Sequence, residues 1–246
     1  MNILNAEAYR FGVFLFFVFA LKNAPSCKID TMHNVLQLTK KMTPMKRLAP
    51  TIAICAAMFM SACATRAPAQ TDNACKFLGE NKAWYRALRS SSKKWGAPIG
   101  LQLAIIKQES SFDHNAKPAR GKRRLLGILA GKRPSSAYGY AQALDGTWNE
   151  YQQSTGNRGA DRDDFDDATD FIGWYVSNTG KRTGISQYNY RGHYLAYHEG
   201  AGGYLRGSYK SKKWLIEVAN RVHNDATKYE NQVQGCKKKL KKRWFF

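Results

Sequence analysis

Acidic residues are scarce in this chain of 246 residues, where 18 Asp and Glu face 39 Lys and Arg and the net charge is +21. Long hydrophobic runs are scarce too. After residue 63 there is no stretch of about 18 uncharged apolar residues, so this part of the chain is not expected to span a membrane. Aromatic residues make up 13% of the chain, which excludes a disordered polycation and allows a packed core. The length predicts about one domain.

Metal-binding patterns are also missing from the sequence. The cysteines and histidines lack the spacing of a zinc site. The acidic run at residues 161–170 lacks the ligand spacing and the glycine of a calcium loop, so we interpret it as a solvated helix N-terminus. No nucleic-acid-binding motif accompanies the positive charge. We therefore expect no metal, no other cofactor and no nucleic-acid partner.

The segment at residues 45–63 has the order of an export signal. A short basic start precedes an apolar stretch and two small residues, Ser61 and Ala62, which stand directly before Cys63. Residues 60–63 resemble a bacterial lipobox, which implies that Cys63 is diacylated and begins the mature chain. Two acyl chains give stable anchoring. This resemblance predicts a lipid-anchored envelope protein on the periplasmic face of the outer membrane. The alternative is an ordinary signal peptide with a chance cysteine.

Residues 1–44 contain a second apolar run, at residues 11–21, which is too short to span a membrane as a helix. The simplest interpretation is that translation starts at Met45 or Met42 and that residues 1–44 come from a mis-assigned start, so that 45–62 is the signal peptide. Cleavage before Cys63 would leave 184 residues with a net charge of +16. Residues 63–74 are small and polar and suit a tether.

Two cysteines flank the rest of the chain. If Cys63 carries lipid, Cys75 and Cys236 remain as one pair. An oxidising envelope compartment favours a disulfide between them, which would tie the two ends of the domain together.

The folded region is predicted at residues 75–236 and is mostly α, because strand alternation is nearly absent. Helical spacing of apolar residues begins at Cys75, and Pro98 can open a helix over residues 99–108. Further helical periodicity covers residues 141–155, 165–177, 192–206 and 211–230. A basic, Gly- and Pro-containing stretch at 117–136 predicts a long loop. Residues 237–246 form a basic and aromatic tail suited to contact with a membrane surface.

Glu109 stands out because of its place on the predicted helix over residues 99–108. It follows Ile106 by three residues and Ile105 by four, and so projects from the apolar face. Burial and a helix C-terminus both disfavour the anion, so we expect a raised pKa. A carboxylic acid that stays protonated can donate its proton to a glycosidic oxygen. The alternative is a surface Glu at a frayed helix end.

Three motifs strengthen the first interpretation. They lie at residues 109–112 (ESSF), 137–142 (AYGYAQ) and 196–200 (AYHEG). In this order they resemble the lysozyme-like lytic transglycosylase (SLT) domain of bacterial peptidoglycan enzymes, over roughly residues 98–209. The resemblance implies a single helical domain of the goose-type lysozyme kind, with Glu109 as catalytic acid. The substrate-binding residues that it implies are Ser110, Tyr140, Gln142, Tyr197 and His198.

Each of these positions has an expected part. Ser110 would stand beside the acid, residues 139–142 would line the groove, and Gln142 would hydrogen-bond sugar near the cleaved bond. The tyrosine hydroxyl of the third motif, carried over to Tyr197, would meet the catalytic carboxyl. The chain departs from the family pattern at His198, where Asn is usual, and at the following Glu199. The loop between the first two motifs is also longer and more basic than usual.

The resemblance also implies a mechanism that needs one carboxyl group. A hydrolase needs a second carboxylate, but the nearest in sequence, Asp113, is expected to be an exposed turn residue. A lytic transglycosylase instead uses the C6 hydroxyl of its own substrate, and so forms 1,6-anhydro-N-acetylmuramic acid. The expected partners are peptidoglycan strands and, through Cys63, a membrane; the protein is expected to be a monomer. A non-catalytic peptidoglycan-binding lipoprotein and a lysozyme-type hydrolase remain as alternatives.

Aromatic residues near the motifs are candidates for stacking on sugar rings. They are Trp148, Tyr151, Tyr188, Tyr190, Tyr194 and Tyr204. The alternative is a core of bulky aromatics, which we favour for Trp148, Phe171 and Trp174. Ser111 and Phe112 are expected to end the helix and to pack, respectively.

Overall fold

The computed structural model describes residues 67–121 and 131–241. The signal segment and Cys63 lie outside these residues, as do residues 122–130 of the basic loop and residues 242–246 of the tail. The expectations for these segments stay predictions.

Seven α-helices make up most of the described residues. They are α1 (Ala74–Glu80), α2 (Lys82–Trp95), α3 (Ile99–Ser110), α4 (Asp145–Thr155), α5 (Phe165–Thr183), α6 (Tyr190–Arg206) and α7 (Lys213–Lys241), with a short 3₁₀ helix at Ser208–Ser211. Within the described ranges the β-structure is one isolated antiparallel bridge, between Tyr138 and Ala143. The mostly α fold is therefore confirmed. No helix in this part of the chain is long and apolar enough to cross a membrane.

The first helical region divides in two at Asn81. The backbone N–H of Asn81 donates to Phe77 at the end of α1, and its side chain accepts from the N–H of Trp84 at the start of α2. One residue thus satisfies orphan groups of two helix ends, which makes a sharp change of direction possible without a proline. α2 then ends at Gly96, which takes the left-handed conformation.

α3, which carries Glu109, is buried around almost its whole circumference. Its core residues from Leu101 to Ile106 are each at most 1% exposed. α7 approaches so closely that a Cβ on Gly100 would overlap the carbonyl oxygen of Ala226. The backbone N–H of Gly100 also donates to Glu230 across this contact, at 2.7 Å. A glycine is therefore needed where these two helices meet, and this close contact packs the first turn of α3 firmly against α7.

Stacked aromatic rings fill part of the core. The rings of Trp84 and Phe165 are parallel with centroids 4.1 Å apart, and Phe112 stacks on Trp84 at 5.8 Å. The three residues that we assigned to the core, Trp148, Phe171 and Trp174, are 5%, 1% and 5% exposed.

A disulfide joins Cys75 in α1 to Cys236 in α7, with Cα atoms 6.0 Å apart. The same two helices are joined by a hydrogen bond of 2.8 Å from the N–H of Ala74 to the side chain of Gln232. α7 continues past Cys236 to Lys241, so the first residues of the expected tail belong to this helix.

The acidic run precedes and begins α5, as expected for a helix N-terminus. Asp164 is the N-cap and accepts from the backbone N–H groups of Asp166 and Asp167. Asp170, one turn further on, accepts from the indole N–H of Trp95 at 2.7 Å. No group of His, Cys, Asp and Glu among the described residues could hold a metal ion.

Candidate active site

Glu109 lies in the last turn of α3, and the chain turns sharply after it. Ser111 takes the left-handed conformation at the C-cap with φ of 52°, and Phe112 follows with φ of 64°. Phe112 is fully buried and anchors the turn in the aromatic core. As the sequence predicted, Ser111 ends the helix and Phe112 packs. The two residues fix the point at which the helix stops and Glu109 meets solvent.

The environment of Glu109 favours the protonated acid. Glu109 is half-buried as a residue, and burial of its carboxyl group raises the pKa from 4.5 to about 7. A hydrogen bond from the hydroxyl of Tyr194, 3.0 Å from Oε1, acts in the opposite direction and lowers the pKa. Burial is the larger effect. A substantial fraction of Glu109 therefore keeps its proton at neutral pH, as a general acid requires.

The tyrosine that contacts the acid is Tyr194, and the assignment of this contact to Tyr197 was wrong. Tyr197 lies three residues later on the same face of α6, but its hydroxyl donates to the carbonyl oxygen of Ala141, at 2.7 Å. Tyr197 is still close enough to the acid to feel its charge. Burial raises the pKa of Tyr197 most, and the charge of Glu109 raises it further. The two tyrosines therefore have different partners. Tyr194 donates a hydrogen bond to the carboxyl group of Glu109, and Tyr197 joins α6 to the second motif.

The second motif, at residues 137–142, contains a tight turn that is hydrogen-bonded to α6 and to the chain after α3. Gly139 has φ of 74°, and a Cβ there would overlap the carbonyl oxygen of Arg162. Gln142, with φ of 47°, donates its side-chain amide to the carbonyl oxygens of Ala116 at 2.8 Å and Gly139 at 2.9 Å. Both amide hydrogens of Gln142 are therefore used within the protein. The expected hydrogen bond to sugar is left only to its carbonyl oxygen.

Two other residues predicted to bind substrate lie inside the protein. Tyr140 is fully buried, with its ring edge-on to Trp84 at 5.9 Å and to Phe165 at 5.2 Å. Its assignment to the groove was wrong, because the residue is needed in the aromatic core. Ser110 is 9% exposed and its hydroxyl donates back to the carbonyl oxygen of Ile106, at 3.0 Å. The structure thus gives Ser110 a bond within its own helix.

His198 lies at the surface in a charged cluster with Glu199. Its Nδ1 is 2.9 Å from the carboxylate of Glu199, whose side chain is only 5% exposed. That carboxylate pairs with the Nζ of Lys212 at 2.7 Å and accepts a hydrogen bond from the hydroxyl of Ser208. Chiefly because of Lys212, the pKa of Glu199 falls to about 2. His198 is therefore held by a permanent anion.

Few of the aromatic candidates are available to a ligand. Tyr151 is fully buried, and Trp148, Tyr190 and Tyr194 are each at most 6% exposed. Tyr204 stacks on Tyr209 at 5.4 Å. Tyr188 alone among the six candidates is well exposed, at 69%. Trp214, which lies outside the three motifs and was not among the candidates, is 54% exposed at the start of α7.

One carboxyl group dominates the candidate site. The shift in the pKa of Glu109 arises from burial and from Tyr194, with no contribution from a second acid. Asp113 is exposed and accepts from the backbone N–H of Asn115 at 2.9 Å. A partly buried carboxyl group that keeps its proton near neutral pH is the environment of a general acid that protonates a glycosidic oxygen.

Comparison with protein families gives the class of this protein. The chain matches the family model of a transglycosylase SLT domain over residues 51–236, and it belongs to that family. A search of curated proteins gave no match. Membership indicates a protein of the type that acts on peptidoglycan.

Substituting Tyr194→Phe is expected to move the alkaline limb of the pH–rate profile to higher pH. The wild-type rate should fall as the pH rises through about 7, where Glu109 loses its proton. Loss of the Tyr194 hydroxyl removes the bond that stabilises the anion, so the acid should remain protonated to higher pH. Release of soluble fragments from sacculi between pH 5 and 9 measures the shift. Tyr188→Phe, at an exposed position, is the matched control; an unmoved limb in Tyr194→Phe would contradict the assignment.

Proposed function

We propose that the protein is a lytic transglycosylase that cleaves the β-1,4 bond between N-acetylmuramic acid and N-acetylglucosamine in peptidoglycan. The observation that carries this proposal is the half-buried Glu109, whose pKa of about 7 keeps a proton available beside the hydroxyl of Tyr194. Family membership supports the substrate class.

In the first step Glu109 donates its proton to the glycosidic oxygen. The bond from that oxygen to C1 of the muramic acid breaks, and the N-acetylglucosamine side leaves with a new hydroxyl group. An oxocarbenium-like centre develops at C1, which the substrate's own N-acetyl group can stabilise. As the proton leaves, Tyr194 keeps its hydrogen bond to the newly formed carboxylate.

In the second step the ionised Glu109 acts as a base. It removes the proton from the C6 hydroxyl of the same muramic acid, whose oxygen then bonds to C1 and closes a 1,6-anhydro ring. Glu109 regains the proton it gave, so no water is consumed and no second carboxylate is required. A carboxyl group with a pKa near the working pH serves well in both directions.

The remaining residues of the third motif position this chemistry. Tyr197 fixes α6 against the turn at residues 139–142 through the carbonyl oxygen of Ala141, which holds Tyr194 in line with Glu109. His198, one turn beyond Tyr194, is proposed to contact sugar. Gln142 is proposed to hold the turn at residues 139–142 in shape through its side-chain amide, with its carbonyl oxygen available to substrate.

The lipobox-like residues support a location at the membrane. We propose that Cys63 carries lipid and that residues 63–74 tether the domain to the periplasmic face of the outer membrane, as a monomer. The excess of Lys and Arg then faces the carboxylates of the peptide stems and other anionic envelope polymers, and attracts them without specificity.

Digestion of purified sacculi followed by mass analysis of the products tests the proposal. We expect muropeptides that end in 1,6-anhydro-N-acetylmuramic acid. Reducing ends would indicate a lysozyme-type hydrolase. Binding to sacculi without any released product would indicate a non-catalytic peptidoglycan-binding protein.

A further inference from the structure

Trp214 has a large apolar side chain that is exposed to solvent and contacts His198 of the third motif. It lies in the first turn of α7 and is 54% exposed. Its ring meets the imidazole of His198 at a centroid distance of 5.2 Å and an angle of 77°. An edge-to-face contact of this kind orients the ring while leaving much of its surface open to a ligand.

The pair continues the Glu109 site along α6. Tyr194, which contacts Glu109, and His198 are four residues apart and therefore lie on the same face of this helix, about 6 Å apart along its axis. α6 breaks just afterwards at Gly200, with φ of 71° and ψ of 161°. His198 is thus in the last regular turn of this face, and Trp214 extends the surface beyond it.

The charged cluster fixes the orientation of the His198 ring. The ionised carboxylate of Glu199 has no hydrogen to donate and can only accept a hydrogen bond. In a neutral His198 the hydrogen therefore lies on Nδ1, and Nε2 is the acceptor. Lys212 bonds both oxygens of Glu199, at 2.7 and 2.9 Å, and so prevents the carboxylate from turning away. These contacts hold the His198 ring in place beside Trp214.

We propose that Trp214 and His198 form a saccharide subsite one step along the glycan from the bond that Glu109 cleaves. The indole stacks on the apolar face of a pyranose ring, and Nε2 of His198 accepts a hydrogen bond from a hydroxyl or amide group of the sugar. A glycan strand is the occupant because the pair is continuous with the Glu109 face of α6. The inference rests on the proposed function and adds to it a residue outside the three motifs.

Calorimetric titration of a GlcNAc–MurNAc tetrasaccharide into Glu109→Gln protein tests the subsite without turnover. In this background we expect Trp214→Ala to raise the Kd about threefold to tenfold. Trp214→Phe, which keeps a stacking ring, should stay within about twofold. Leu205→Ala is the matched control, since Leu205 is a similarly exposed apolar residue at 62%. Because Trp214 is more than half exposed, Trp214→Ala should fold, and its thermal midpoint checks this.

The possible outcomes distinguish failure of the proposed subsite from failure of the proposed function. If the tetrasaccharide binds and Trp214→Ala leaves the Kd unchanged, the subsite is overturned while the proposed function stands. If Leu205→Ala weakens binding as much as Trp214→Ala, the effect is not specific and the subsite is likewise overturned. If the tetrasaccharide does not bind any variant, both proposals fail. Binding of anionic lipid vesicles that depends on Trp214, with none of glycan, would assign the ring to a membrane instead.

Discussion

Glu109→Gln is expected to slow glycan cleavage by at least about a thousandfold. A single acid–base group commonly contributes about 10²–10⁴ to a rate, and the proposed mechanism uses the carboxyl group of Glu109 in both steps. The amide of Gln cannot donate a comparable proton, yet it has nearly the same shape and can still accept from the hydroxyl of Tyr194. The initial rate of release of soluble muropeptides from sacculi measures the effect.

A neighbouring carboxyl group provides the control. Asp113 is exposed and close to Glu109 in sequence, and Asn in its place can still accept from the N–H of Asn115. Asp113→Asn should therefore retain activity within about threefold. Comparable losses in Asp113→Asn and Glu109→Gln would mean that the chemistry needs two carboxylates, and the one-acid account would be wrong.

The Glu109→Gln variant is expected to be more stable than the wild type at alkaline pH. Burial raises the pKa of Glu109 to about 7, above its usual 4.5. The contribution of this group to the free energy of unfolding is therefore fully present below about pH 4.5 and is lost as the pH rises through 7. The amide of the Glu109→Gln variant cannot ionise and escapes this loss. By urea unfolding, Glu109→Gln should exceed the wild type by roughly 1–3 kcal/mol at pH 8 and by little at pH 5. An equal difference at both pH values would contradict the assigned pKa.

Removal of the disulfide is expected to have the largest effect on stability. The bond joins residues separated by 161 positions, and closing such a long loop restricts the unfolded chain strongly. The double variant Cys75→Ser, Cys236→Ser should lose about 2–5 kcal/mol in free energy of unfolding. Urea unfolding under oxidising conditions measures the loss. Replacing both cysteines avoids an unpaired thiol.

Reduction of the wild type is the matched comparison. Reduced wild type and the double variant should unfold at similar urea concentrations, and below the transition both should keep cleaving glycan. Activity should survive because α1 and the residues before it remain attached to α7 through hydrogen bonds such as Ala74 to Gln232 and Tyr229 to Thr71. A loss below about 1 kcal/mol would show that these contacts alone hold the two ends together.

The helices and the raised pKa of Glu109 could be predicted because both depend on local spacing. The apolar period places Ile105, Ile106 and Glu109 on one face, and in the structure the two isoleucines are buried and Glu109 is half-buried. The break at Asn81 could not be predicted, since an asparagine within a helical pattern becomes a double cap only when the helices turn apart. The extension of α7 to Lys241 depends likewise on packing, because the lysine-rich sequence carries little apolar period.

The contacts within the site depended on the third dimension. Tyr194 and Tyr197 are three residues apart on one helix face, so sequence spacing cannot decide which hydroxyl reaches the carboxyl group. Tyr140 was assigned to the groove by its motif, but the partners that bury it, Trp84 and Phe165, are distant in sequence. Trp214 lies outside every motif, and its connection to the site is a ring contact with His198 that the sequence does not reveal.

The central claim is that the nucleophile is the substrate's own C6 hydroxyl and that Glu109 moves the proton twice. Digestion of sacculi in water enriched in ¹⁸O, followed by mass spectrometry of the products, tests this most directly. The account predicts anhydro-muropeptides whose new ends carry no ¹⁸O, formed by the wild type and lost in Glu109→Gln. Reducing ends that contain one ¹⁸O atom would show that water is the nucleophile, and would contradict the account.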